Sequence, residues 1–356
     1  MRVGLVLGAG GVMGGAWLTG GLEAIARETG WDPAEAEYIV GTSAGSMMGG
    51  LLASGVPPWF MVAHSKGDSF KGLRGADGRP ASTADRSAGA SFRLHKGPPP
   101  IGPGSWKLIA NSLTHPMEHR PTALFAGWLP RGVISTDPLK DTIRRVVPTG
   151  WAPHPNLWIV ACDYASGRRV AFGRADAPDA DLADAVAASC AIPGFYRPVT
   201  IGGRRYVDGG LWSTSNLDIL RNEELDLVIC LNPTSSLHPP LAWNPAERVA
   251  AAVRGLSGRR LGSEAKKLRA KGTGVVLIQP TSEDHEVMGP NLMSRRNRNP
   301  VIETAIRTVG EQLREPGNRE LLTDLPQGNP YRVRRPSGPP STWPPELLPG
   351  ARASAA

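Results

Sequence analysis

The chain has 356 residues, 40% hydrophobic and 20% charged, which is a globular composition long enough to bury a core around a catalytic cleft. Its 40 basic and 32 acidic side chains give a formal charge of +8, which favours acidic partners such as anionic lipid without identifying one. Cys162, Cys190 and Cys230 lack metal-ligand spacing and are no disulfide framework, and no apolar run reaches the roughly 18 residues that a spanning helix needs.

Residues Arg2 to Leu7 read as a short buried strand, followed by a glycine turn and a helix. In that helix Leu18, Leu22 and Ile25 recur at i, i+4 and i+7, and Gly30 marks its end. A second strand, Tyr38 to Val40, leads into another helix that opens directly after Ser43. This alternation predicts an α/β fold with a parallel sheet and crossover helices. The apolar start runs into glycines instead of continuing as a secretory signal. The expectation is a cytoplasmic protein whose membrane contact, if any, is peripheral.

From Lys66 to Arg131 the pattern gives way to Gly, Pro, Ser and basic residues, including Gly97-Pro98-Pro99-Pro100, with one helical stretch around Trp106 to Leu113. An insertion of this length, 66–131, is either a lid or disordered. Order returns with strands at Leu157 to Asp163 and Val170 to Phe172, joined by a Ser166-Gly167 turn, and a helix from Asp181 to Cys190 stopped by Pro193. Pro198 to Ile201 and Arg204 to Val207 flank Gly202-Gly203 as a hairpin whose second strand ends at Asp208. Further strands are expected at Leu227 to Leu231 and Val275 to Ile278, with helices near Ala246 to Leu268 and Val301 to Leu313. The Pro- and Arg-rich segment 325–356 is expected to be disordered, which leaves one domain over 1–320.

Gly41-Thr42-Ser43-Ala44-Gly45 is a G-x-S-x-G pentapeptide between a strand and a helix, where small residues permit a sharp turn that lifts a serine oxygen clear of the backbone. Alone it is a weak signal, equally a Gly/Ser helix start packed on a sheet. Upstream, Gly8-Ala9-Gly10-Gly11-Val12-Met13-Gly14 exposes successive N–H groups that suit an oxyanion or a phosphate. The same loop fits a dinucleotide fingerprint, hence an NAD(P)-dependent oxidoreductase. That reading wants an acid at the tip of the second strand, where this chain has Gly41-Thr42-Ser43. A P-loop reading lacks its Gly-Lys-Ser/Thr.

A serine nucleophile needs a proton acceptor. A Ser-His-Asp α/β-hydrolase order is available through Ser43, Asp208 and either His238 or His285, but both histidines sit in Pro-rich or polar stretches that read as surface loops. Asp208 ends a hairpin strand and is followed by Gly209-Gly210, which is a plain turn or an exposed carboxylate.

Taken in order, Gly10-Gly11-Val12-Met13-Gly14, Gly41 to Gly45 and Asp208-Gly209-Gly210 resemble the motifs of the patatin-like phospholipases, as does Ser189-Cys190-Ala191-Ile192-Pro193-Gly194-Phe195 ahead of the aspartate. The resemblance covers residues 1–60 and 130–235 well, with Met13 standing where the family usually carries Arg or Lys. It implies a three-layer α/β/α fold with a mostly parallel central sheet, and a lipid acyl-ester hydrolase that uses neither cofactor nor metal. It also implies a Ser43–Asp208 dyad and an oxyanion hole from the N–H groups of Gly10, Gly11 and Val12, with Gly8, Gly14, Gly41, Gly45, Gly209 and Gly210 supporting the motifs. A catalytically weak family member acting as a scaffold is the alternative that Met13 raises. The expected partners are a lipid or acyl-ester substrate and an anionic membrane surface, not nucleic acid. Two features are candidates for that surface: Trp59, Trp106 and Trp128 around the insertion, and a basic helix with Arg254, Arg259, Arg260, Lys266, Lys267, Arg269 and Lys271 interrupted by Leu256, Leu261 and Leu268.

Overall fold

The structure, a computed structural model, describes residues 1–66, 92–97, 100–114, 121–236, 245–328 and 330. Its N-terminal half begins β1 (Val3–Leu7), α1 (Gly11–Thr29), β2 (Tyr38–Thr42), α2 (Ala44–Ala53) and α3 (Pro58–Lys66), followed by α4 (Trp106–Thr114), α5 (Pro121–Trp128) and α6 (Asp137–Arg144). Next come β3 (Leu157–Asp163), β4 (Arg169–Phe172), α7 (Leu182–Ser189), β5 (Val199–Ile201), β6 (Arg204–Asp208) and β7 (Leu227–Leu231). The chain continues with α8 (Pro245–Arg269), β8 (Gly274–Ile278), α9 (Ser282–Met288), α10 (Arg298–Arg314) and α11 (Pro316–Leu322).

Among the described residues eight strands form one sheet in the order β5-β6-β3-β2-β1-β7-β8, with β4 also paired to β3. The run β3-β2-β1-β7-β8 is parallel, and β4, β5 and β6 pair antiparallel. Parallel strands are stable when both faces are covered, because their crossovers place helices on each side. Alternate side chains show this directly. Leu5, Leu7, Ile39, Leu157, Ile159 and Ile229 belong to a core with α1, α2, α7 and α10, while Val6, Val40, Trp158, Val160 and Val228 belong to a second core with α8. The three-layer α/β/α architecture implied by the motifs is the one observed.

The expected strands and the main expected helices are present, and α1 ends at Gly30 in the left-handed conformation, φ 68°. Three expectations are corrected. The insertion holds a second helix, α5, beside α4. His285 is not in a surface loop but buried on α9, whose start is fixed by a capping box between Thr281 and Asp284. Leu325, at the head of the expected disordered tail, packs into the main core. His238, much of the insertion and residues 331–356 lie outside the described residues.

Candidate active site

Parallel α/β sheets gather their functional loops at the carboxyl ends of the strands. Here β1 ends in the glycine loop, β2 ends in Ser43, and β6 delivers Asp208 opposite Ala161 of the neighbouring β3. Ser43 adopts φ 53° and ψ −118°, a conformation that disfavours a side chain and places the residue on a sharp elbow before α2. The elbow is tight enough to dictate its flanks. A Cβ at Gly45 would enter the Leu7 carbonyl, and one at Gly41 would come within 2.6 Å of the Gly45 oxygen.

The elbow is held from three sides. The Ser43 N–H donates to Ser189 Oγ at 2.8 Å, and Ser189 in turn donates to the Val160 carbonyl at 2.6 Å. The Ser43 carbonyl accepts from Ser46 Oγ at 2.6 Å and from Cys190 Sγ at 3.1 Å. Gly45 N–H donates to the Gly8 carbonyl at 3.2 Å, which ties the elbow to the glycine loop. The next residue along, Ala191, accepts the Asp208 N–H at 3.1 Å. The end of α7 therefore fixes both Ser43 and Asp208.

Asp208 is buried, its carboxyl accepts a hydrogen bond from Gly210 N–H at 2.7 Å, and the Ser43 hydroxyl lies close enough to act on its pKa. Burial pushes its pKa up to about 6, and the Ser43 hydroxyl and Gly210 N–H oppose that rise without cancelling it. The sequence reading missed Asn216. It is fully buried in the left-handed region at φ 52°, and its Nδ2 donates to Thr42 Oγ1 at 3.1 Å, the Ser213 carbonyl at 2.6 Å and the Gly209 carbonyl at 3.4 Å. One side-chain amide thus joins the strand end before Ser43 to the turn after Asp208. Beyond it, buried Glu264 of α8 accepts from Ser215 Oγ at 2.6 Å and Leu217 N–H at 3.0 Å.

In the glycine loop, Gly8 N–H donates to Leu231, Ala9 N–H to Thr214 and Gly14 N–H to Gly10. Met13, at the position where a cation was expected, is fully buried in the main core, and its N–H donates to the Leu292 carbonyl at 2.9 Å. The N–H groups of Gly10, Gly11 and Val12 enter no backbone hydrogen bond outside the helix among the described residues, and first-turn positions have no partner inside it. A Cβ built on Gly210 would lie 3.6 Å from the Ala9 side chain, so the loop and the aspartate motif meet.

Among the described residues no histidine acts on Asp208. His285 has neither ring nitrogen hydrogen-bonded among the described residues. Burial, reinforced by the nearby Arg254 charge, pushes its pKa down to about 4. The three cysteines are free and buried. Among the described residues no group of three or more His, Cys, Asp or Glu is placed to hold a metal ion, and no helix is long and apolar enough to cross a membrane.

Among known proteins, a solved structure, VipD from Legionella pneumophila, matches with 14% identity over 91% of this chain and 67% of that chain, at a TM-score of 0.39. The family model described as Patatin-like phospholipase matches residues 5–221, a span that runs from β1 through the elbow and Asp208 to just beyond Asn216. With more than half of its length so matched, the chain belongs to the patatin-like phospholipase family.

Proposed function

We propose that this protein hydrolyses acyl esters of lipids with Ser43 as nucleophile and Asp208 as its sole side-chain base. The observation that carries the reading is a buried Asp208 carboxyl, raised to about 6 and acted on by the Ser43 hydroxyl, with both residues fixed by the end of α7. An ordinary aspartate is too weak a base for a hydroxyl, and desolvation raises its basicity where catalysis needs it. In the proposed sequence the Ser43 proton passes to Asp208 as Oγ bonds to the ester carbonyl carbon. The oxyanion is held by N–H groups of Gly10, Gly11 and Val12 at the start of α1, where the helix dipole assists. Collapse expels the alcohol, which takes the proton from Asp208. Water then attacks the acyl-enzyme with Asp208 as base again, releasing the acid and restoring the Ser43 hydroxyl.

Turnover of short nitrophenyl esters by Ser43→Ala and Asp208→Asn, alongside fluorophosphonate labelling, tests the dyad. Each variant should lose about 10³-fold or more in kcat, and labelling should vanish in Ser43→Ala. His285→Ala should keep its rate. Near-parental turnover in either dyad variant would overturn the assignment.

A further inference from the structure

Large apolar side chains exposed to solvent are concentrated on one part of this molecule. Among the described residues ten are exposed, and seven of them fall between positions 94 and 133, the other three lying singly at the N-terminus, α8 and α11. The inner face of α4 is conventional, with Leu108, Ile109 and Ser112 buried. Its outer face is not. Trp106, Ala110 and Leu113 recur at i, i+4 and i+7, all exposed, which is the spacing of a second apolar stripe facing water. Trp128 of α5 packs edge-on against Trp106 at 6.2 Å, and Phe125 and Ile101 are also exposed, Ile101 at 97%.

This face is firmly mounted and lies beside the candidate active site. Ser105 Oγ donates to the Tyr164 carbonyl at 2.6 Å, and Tyr164 Oη donates to the Ala126 carbonyl at 2.9 Å. Thr122 Oγ1 of α5 donates at 2.8 Å to the carbonyl of Leu211, in the turn that begins directly after Asp208. The described part of this segment is basic, with Arg93 also reaching Asp141 at 4.0 Å. Between positions 92 and 136 the described residues include exposed Arg93, His95, Lys96, Lys107 and Arg131, and no Asp or Glu. Tryptophan at the boundary of an apolar patch ringed by cations is the chemistry of the bilayer interface, where the ring enters the acyl boundary and the cations meet anionic headgroups. Of the other surfaces expected to meet lipid, Trp59 packs against the main core, and α8 buries Leu261 and Leu268 under the sheet and exposes Leu256 alone of its three leucines.

We propose that the outer face of α4 and α5 docks this protein on an anionic phospholipid bilayer, with the Asp208 turn at its edge. The idea deepens the lipid-hydrolase reading, but the docking itself does not depend on the dyad. The test uses the full chain carrying Ser43→Ala, so that vesicles are not consumed. It is sedimented with vesicles of phosphatidylcholine mixed equally with phosphatidylglycerol, and with vesicles of phosphatidylcholine alone. Binding should favour the anionic vesicles and weaken as salt is raised. Adding Trp106→Ser and Trp128→Ser should weaken it about tenfold or more. Adding Lys96→Glu and Lys107→Glu, both on exposed positions, should also weaken it. With Ser43 restored, the tryptophan variant should keep parental turnover of a soluble short ester and lose turnover of vesicle lipid. Failure of the parent to bind anionic vesicles, binding that survives both sets of changes, or a dimer in solution that the tryptophan changes dissociate would each overturn the proposal. Vesicle binding by a protein without ester turnover would instead remove the hydrolase reading and leave the docking face standing.

Discussion

A carboxyl that titrates near 6 must be empty of its proton before it can take another from Ser43. Ester turnover should therefore rise with pH through about 6 and level off above it, and a profile still rising well above that value would point to a different base. The same burial affects stability, with a sign opposite to that of a salt-bridged aspartate. The folded pKa lies above the ordinary value of 3.8, so the folded state holds the proton more tightly. The resulting stability is full below 3.8 and is lost as pH rises through about 6. Asp208→Asn escapes that loss while still accepting from Gly210 N–H. In mildly alkaline buffer it should be inactive yet more stable than the parent by up to about 3 kcal/mol, a difference that closes in acid and that denaturant melts at the two pH values would measure. Ser43 supplies a companion case. Its backbone conformation suits glycine, so Ser43→Gly should gain about 1 kcal/mol in thermal or denaturant melts while losing all turnover, whereas Ser43→Ala should lose turnover without the gain.

Between elements, the positions of Ser43 and Asp208 are set by groups that perform no chemistry. Ser189, Cys190 and Ala191 at the end of α7 bond to both residues, and Asn216 spans from Thr42 to the Gly209 turn. Asn216→Ala leaves buried acceptors unpaired and removes a side chain suited to the left-handed backbone. It should cost about 2 to 3 kcal/mol of stability. Below its melting temperature it should lower kcat far more than it changes KM, because the elbow shifts while the acyl-binding surface stays. A variant whose kcat is untouched would make Asn216 a purely structural residue. The motifs that were legible in the sequence, Gly41 to Gly45 and Asp208 to Gly210, are contiguous runs read without their partners, even though Gly45 is dictated by the Leu7 carbonyl and Gly209 by the Val160 carbonyl. Asn216 carried no such signal, since its partner Thr42 lies 174 positions away. His285 was misplaced for a related reason. The polar run Glu283-Asp284-His285-Glu286 resembles a loop in composition, but Asp284 is consumed by the Thr281 cap and by Thr308 Oγ1 at 3.0 Å, so that the helix packs inward. Helix α5 was missed because the Gly- and Pro-rich stretches around it obscure the periodicity.

At the scale of the whole molecule, the family match ends at residue 221, yet the sheet does not. β1 is central only because β7 lies on one side of it, Val3 to Leu7 pairing in register with Leu227 to Leu231. Beyond the matched span, Leu231 receives the Gly8 N–H and Leu292 receives the Met13 N–H. Glu264 of α8 anchors Ser215 and Leu217, and Leu261, Ala265 and Leu268 cover the face formed by Val6, Val40 and Val160. On the other face α10 packs so closely on α1 that a Cβ at Gly20 would come within 2.5 Å of the Ile302 carbonyl. A chain ending at Arg221 would uncover the Val6 face of β1, strip α10 from α1 and turn β1 into an unpaired edge, an arrangement that invites aggregation. It should give no soluble, cooperatively melting protein and no ester turnover. A chain ending at Pro330 keeps every contact named above and should match the full chain in melting and in turnover. If the shorter chain were soluble and active, the residues after 221 would be an appendage to the site. The hydrogen bonds from Gly8 and Met13 instead make them half of the frame that holds the glycine loop against Ser43.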